Sequence, residues 1–133
     1  VRLRGEAALV VPTGSAAESL AELLREAGCR VDCDPDFLTV NWRKLLINAL
    51  AGLMALSGRR SGMFRRDDVA ELGRRYMAEC LAVARAEGAQ LGDDVAEHLV
   101  DSFRVVPEDM GTSILADREA HRRMEWDLRN GVI

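Results

Sequence analysis

Lysine is almost missing from this sequence. Of eighteen lysine and arginine residues only Lys44 is a lysine, and it stands one turn before Asn48 in a stretch with helical periodicity. Chance is one explanation. The other is a position that needs a compact, mobile proton donor, which a guanidinium cannot supply. Other scarcities exclude whole classes. No run approaches the roughly 20 apolar residues of a membrane helix, and no signal peptide opens the chain. Positive charge is not gathered into a block: the net charge is -4, Arg59-Arg60 and Arg65-Arg66 are isolated pairs, and no nucleic-acid surface is expected. Cysteine is limited to Cys29, Cys33 and Cys80. That odd number without framework spacing reads as reduced thiols in a cytoplasmic protein. Neither the cysteines nor the two histidines follow a zinc spacing, so no metal is expected. Repeats, low-complexity tracts and a GxGxxG or GxxxxGK[ST] phosphate loop are absent as well.

What is present suits an ordered chain: 133 residues, 48% of them apolar, enough for one domain or one domain with a fragment of a neighbour. Ala8-Leu9-Val10-Val11 reads as a short strand stopped by Pro12-Thr13-Gly14. Ser15, with Glu18 three residues on as in a capping box, predicts a helix through Leu20, Leu23 and Leu24, ended by Ala27-Gly28. Cys29 to Cys33 reads as a second strand. Strand, helix and strand in so short a span look like the end of an α/β unit. After Asp34-Pro35-Asp36 the period becomes helical. Asn41 to Leu56 reads as the strongest amphipathic segment, with Trp42, Leu45, Leu46, Ala49, Leu50 and Leu53 on one broad apolar stripe. Asn41, Lys44, Asn48 and Gly52 form a second, narrower stripe beside it. Gly52 costs about 1 kcal/mol of helix propensity relative to alanine, so a close backbone, a ligand or simple tolerance has to account for it. Ser57 to Gly62 reads as a loop. A helix from Val69 to Glu87 follows, with Leu72, Tyr76, Cys80, Val83 and Ala84 buried and Gly88 as terminator. A shorter helix starts at Asp93-Asp94 and runs to Phe103, and another element begins at Thr112 or Ser113. Asn130-Gly131 reads as a helix stop, and the apolar Val132-Ile133 after it suggests a packing partner beyond.

Four residues carry the candidate chemistry. Lys44 offers positive charge and a proton whose pKa, about 10.4 when free, burial can lower toward neutrality. Asn48, one turn on, donates and accepts without charge. Ser113, near a helix start, can bind an anion through its hydroxyl with help from backbone N–H groups. Glu125 can pair with the lysine or accept from a substrate hydroxyl. The competing reading is of capped helices and surface ion pairs; Glu79 and His98 in particular read as solvated surface side chains.

The ordered pattern Trp42-x-Lys44-x-x-x-Asn48-Ala49, Glu79, Thr112-Ser113-x-x-x-Asp117 and Arg122-x-x-Glu125-x-Asp127-x-x-Asn130-Gly131 resembles the C-terminal domain of ketopantoate reductases, also called 2-dehydropantoate 2-reductases. The resemblance implies a mainly α fold: a helical 6-phosphogluconate-dehydrogenase-like domain over residues 36–133, truncated at its C-terminus, after a strand-helix-strand remnant (1–35) of an α/β nucleotide-binding domain. It implies reduction of 2-dehydropantoate or a similar small 2-keto acid with NADPH. Lys44 matches the family's general acid, Asn48 the asparagine that orients substrate and lysine, Ser113 the serine on the substrate carboxylate, and Glu125 the catalytic-site glutamate that holds the substrate hydroxyl. Gly52 departs from the family, which commonly has a second asparagine there, and Met124 stands for the usual threonine. Since this chain shows no cofactor-binding residues of its own, it is expected to be inactive alone and to cover exposed apolar surface as a homodimer. The alternative is a non-catalytic helical interaction or dimerisation module derived from the same family.

Overall fold

A computed structural model describes residues 7–133; residues 1–6 of the expected N-terminal fragment lie outside the described residues. The chain divides into two compact units, one ending at Asn41 and one running from Trp42 to Ile133.

In the first unit, strands β1 (Ala8–Pro12) and β2 (Arg30–Asp34) pair in parallel with Leu9 opposite Val31, and helix α1 (Ser15–Glu26) connects them. The helix closes in a Schellman turn. Gly28, at φ 84, donates to the Arg25 carbonyl, and Cys29 donates to the Leu24 carbonyl, a geometry that glycine adopts without a Cβ penalty. Its start differs from expectation. Ser15 is the first helical residue rather than the cap; Gly14 holds the cap position, and its N–H points to Glu18 Oε1 at 3.4 Å. The apolar face differs too. Ala21 is fully buried with Ala17 and Leu24 beside it, whereas Leu20 and Leu23 are 50% and 64% exposed. A two-stranded sheet is narrow enough to cover only the Ala17–Ala21–Leu24 ridge, and the neighbouring leucines stay outside it.

Asp36 opens the long helix α2 (Phe37–Ser57) by accepting the Thr39 N–H at 3.2 Å, an N-cap bond. From Leu46 onward α2 is less amphipathic than its sequence suggests. Ala49, Leu50, Ala51 and Gly52 are consecutive and all buried, so this part of the helix is enclosed on every side, as an all-round apolar helix is. Around it stand a 3₁₀ turn (Ser61–Arg65), α3 (Asp67–Ala86), α4 (Val95–Val105), α5 (Ser113–Glu119) and the short α6 (Trp126–Arg129).

Leu46, Leu50 and Met54 of α2 meet Phe64, Met77, Val100 and Leu115 in one core. Phe64 and Phe103 pack with ring centroids 5.2 Å apart at 59°, a tilted arrangement that suits the aromatic quadrupole. The 3₁₀ turn, read from sequence as loop, is held by the fully buried Ser61, whose hydroxyl donates to the Pro107 carbonyl at 2.5 Å. Gly88 ends α3 in a second Schellman turn, donating to Arg85 while Ala89 donates to Ala84.

Within α3 the buried set is Ala70, Gly73, Met77, Cys80, Leu81 and Ala84. Cys80 and Ala84 agree with the expected face, Tyr76 and Val83 are half-buried at its edge, and Leu72 is 56% exposed. Leu72 lies one position before Gly73, about 100° around the helix from that face. At the end of the chain Ile133 packs against the helical core while Val132 is 54% exposed.

Candidate functional site

The narrow stripe of α2 passes from solvent into the core. Lys44 is exposed, Asn48 half-buried and Gly52 buried, at steps of four residues, or about 6 Å of helix rise each. Among the described residues no hydrogen bond or ion pair commits the Lys44 ammonium or the Asn48 amide. Both groups are left available to a third molecule.

Two side chains of the C-terminal half, an arginine and an asparagine, hydrogen-bond to this helix. Arg118 of α5 caps the end of α2, donating through Nη1 to the Ala55 carbonyl and, at 2.8 Å, to that of Leu56; these are carbonyls that the helix itself leaves without partners. Asn130, directly after α6, donates through Nδ2 to the Ala49 carbonyl at 3.2 Å and to the Tyr76 hydroxyl at 2.7 Å. Its amide fills the space over Gly52, where a Cβ would come within 2.8 Å of Oδ1 and 2.9 Å of Nδ2. The glycine is thus explained by a close side chain. Burial pushes the Tyr76 phenol above its ordinary range, against the Asn130 hydrogen bond that lowers it. Burial likewise raises the Cys80 thiol.

Ser113 and Glu125 meet through a residue that sequence reasoning missed. Arg129 Nη2 donates to Ser113 Oγ at 3.1 Å and to Glu125 Oε2 at 3.1 Å, and Nε donates to the same Oε2 at 3.3 Å. Glu125 is paired with Arg129, not with Lys44. The available signal was the four-residue spacing of Glu125 and Arg129, which puts opposite charges on one helix face. Ser113 opens α5, whose cap is Thr112, accepting the Leu115 N–H at 3.4 Å. The four expected residues therefore form two pairs, Lys44 with Asn48 on α2 and Ser113 with Glu125 around Arg129. The Asn130 amide ties the segment after α6 to α2 at the Ala49 carbonyl, the residue after Asn48. Two hollows lie elsewhere in this unit. One, of about 280 Å³, is mainly apolar, with Leu53, Leu56, Met63, Val69 and Leu72 in its wall; the other, of about 450 Å³, is mixed, with Arg43, Asp94, His98 and Ser102 beside Ile47, Val95 and Leu99.

The β1–α1 turn does not fit a dinucleotide pyrophosphate. Such a group needs free N–H donors and no negative charge at the helix start, yet Glu18 stands there and takes the Gly14 N–H. Among the described residues no cluster of His, Cys, Asp and Glu is arranged to hold a metal ion, and no helix is long and apolar enough to cross a membrane.

The fold is that of the C-terminal portion of ketone-reducing dehydrogenases. It superposes on a dimeric ketopantoate reductase from Staphylococcus aureus with a TM-score of 0.89 at 19% identity, covering 96% of this chain and 45% of that one. A ketopantoate reductase from Ralstonia eutropha gives a TM-score of 0.84 at 33% identity over 98% of this chain and 44% of that one. The family model described as "Ketopantoate reductase PanE/ApbA C terminal" matches residues 36–133: the chain belongs to the ketopantoate reductase family, of which it carries the C-terminal domain. It is 75% identical, over all its 133 residues, to a 2-dehydropantoate 2-reductase of Mycobacterium tuberculosis and spans 45% of that protein's length.

Proposed function

We propose that this chain is the substrate-binding and catalytic part of an NADPH-dependent 2-dehydropantoate 2-reductase. The observation that carries the reading is the identity of 75%, sustained along the whole chain, with the Mycobacterium tuberculosis 2-dehydropantoate 2-reductase. The first unit is then the end of an α/β nucleotide-binding domain. Its open parallel ladder, with Leu9 and Val10 43% and 38% exposed, supports that view, because parallel sheets are ordinarily covered on both faces. When bound by the full-length enzyme, NADPH supplies the hydride.

Lys44 gives a proton to the ketone oxygen and stabilises negative charge that develops there. Its uncommitted ammonium supports this role. Asn48, on the same face, orients substrate and lysine. Ser113 binds the substrate carboxylate and Glu125 its hydroxyl. The test is NADPH oxidation by the full-length enzyme with 2-dehydropantoate. Lys44→Ala is expected to lower kcat roughly 10²–10⁴-fold, the contribution of a positioned acid, without changing the unfolding midpoint. Full activity in that variant would overturn the assignment.

A second reading, a helical dimerisation module, is favoured by the apolar hollow between Leu53, Leu56 and Leu72. It is compatible with catalysis. Absence of 2-keto acid reduction by the full-length protein, together with a stable dimer, would make it the sole reading.

A further inference from the structure

We propose that Arg129 is a substrate-binding residue, whose guanidinium together with the Ser113 hydroxyl receives the carboxylate of the 2-keto acid. This rests on the reading above and adds to it a cation beside Ser113 and Glu125, where the expected site had none.

The unspent hydrogen-bonding capacity of the cluster carries the inference. Arg129 uses Nε and Nη2, one edge of its fork, on Glu125 Oε2 and Ser113 Oγ. Nη1 has no partner among the described residues. Ser113 accepts from Arg129 through Oγ, so its own O–H is free to donate. Glu125 is engaged through Oε2 alone, leaving Oε1 as an acceptor. The cluster therefore offers two donors and one acceptor side by side, which matches a small molecule bearing a carboxylate and a hydroxyl.

Charge supports the same conclusion. Ser113 Oγ and Glu125 Oε2 are bonded to one nitrogen, so a carboxylate bound at Ser113 would lie within three hydrogen-bond lengths of a negative side chain. A serine hydroxyl cannot offset that repulsion. A guanidinium between them does, and its planar fork suits carboxylates as a lysine ammonium does not. The Arg129 side chain is only 16% exposed while that of Glu125 is 58% exposed. A surface pair formed only to decorate a helix contributes little and gives no reason for the arginine to be the enclosed partner.

The experiment uses the full-length enzyme, 2-dehydropantoate and the corresponding carboxamide, in which the carboxylate charge is gone. Arg129→Gln is expected to raise KM for the acid about 10- to 100-fold, the scale of a lost charge-assisted bond, with kcat within a few-fold. The loss in kcat/KM should be several-fold smaller for the carboxamide, which keeps a hydrogen-bond acceptor but not the charge. Arg129→Lys, keeping charge without the fork, is expected to bring KM for the acid back to within about 10-fold of the wild type. An unchanged KM for the acid, or equal losses on acid and amide, overturns the inference and leaves the proposed function standing. If Arg129→Gln does not fold, the acid-to-amide ratio of Arg129→Lys decides: a lowered ratio supports the inference and an unchanged one overturns it. A wild-type enzyme that reduces no 2-keto acid overturns the underlying reading, and this inference with it.

Discussion

Asn130 shows how much a single amide can hold. It joins the segment after α6 to the Ala49 carbonyl of α2 and the Tyr76 hydroxyl of α3. Asn130→Ala removes both bonds, so it should lower unfolding stability by about 1–3 kcal/mol, measurable by urea denaturation. Tyr76 and Cys80 act in a different pH range. Burial raises both above their ordinary values of 10.0 and 9.0. Below those values both groups are neutral in either state and pH has no effect through them. Above about pH 9 the unfolded chain loses these protons first, binds fewer than the folded chain, and gains stability relative to it. Stability should therefore fall as pH rises through this range, and less steeply in Tyr76→Phe. The same burial slows thiol chemistry. A thiol-reactive chromophore at neutral pH should label the half-buried Cys29 and Cys33 quickly and the buried Cys80 only on unfolding.

At the scale of elements, the contact between α2 and the residue after α6 turns on Gly52. A methyl group there would run into the Asn130 amide. Two hydrogen bonds hold that amide in place, so Gly52→Ala should destabilise the wild type even though alanine gains about 1 kcal/mol of helix propensity over glycine. In an Asn130→Ala background the obstruction is gone and the same substitution should stabilise by up to about 1 kcal/mol. A double-mutant cycle reads this change of sign directly. The sequence alone left three explanations for Gly52. A side chain 78 positions away in the chain selected among them, and no local pattern points to it. The short 3₁₀ turn escaped sequence reading for a related reason: its stability comes from Ser61 bonding to the distant Pro107 carbonyl, not from local periodicity.

For the molecule as a whole, the helical unit presents Leu56 at 70% and Leu72 at 56% exposure on either side of one apolar hollow. Exposed apolar surface of this kind is commonly covered by a partner. We expect the full-length protein to be a homodimer, and sedimentation equilibrium of the Leu56→Asp, Leu72→Asp double variant to show a monomer if this face is the one covered. Both side chains are largely outside the core, so the unfolding midpoint of the monomer should change little.

The sequence by itself determined the order of the strands and longer helices, the C-terminal ends of α1 and α3 and the candidate residues Lys44, Asn48, Ser113 and Glu125. Those features depend on spacing along the chain: a helical period, a glycine just past a helix end, a motif at fixed distances. Which apolar residues are buried was only partly legible, since Leu20, Leu23 and Leu72 fit an apolar stripe as well as their buried neighbours do. Only the tertiary structure decided which ridge met a neighbour, that Ser113 joins the Glu125–Arg129 pair, and that Gly52 accommodates Asn130. Each of these is a contact whose partner is set by packing rather than by nearby sequence.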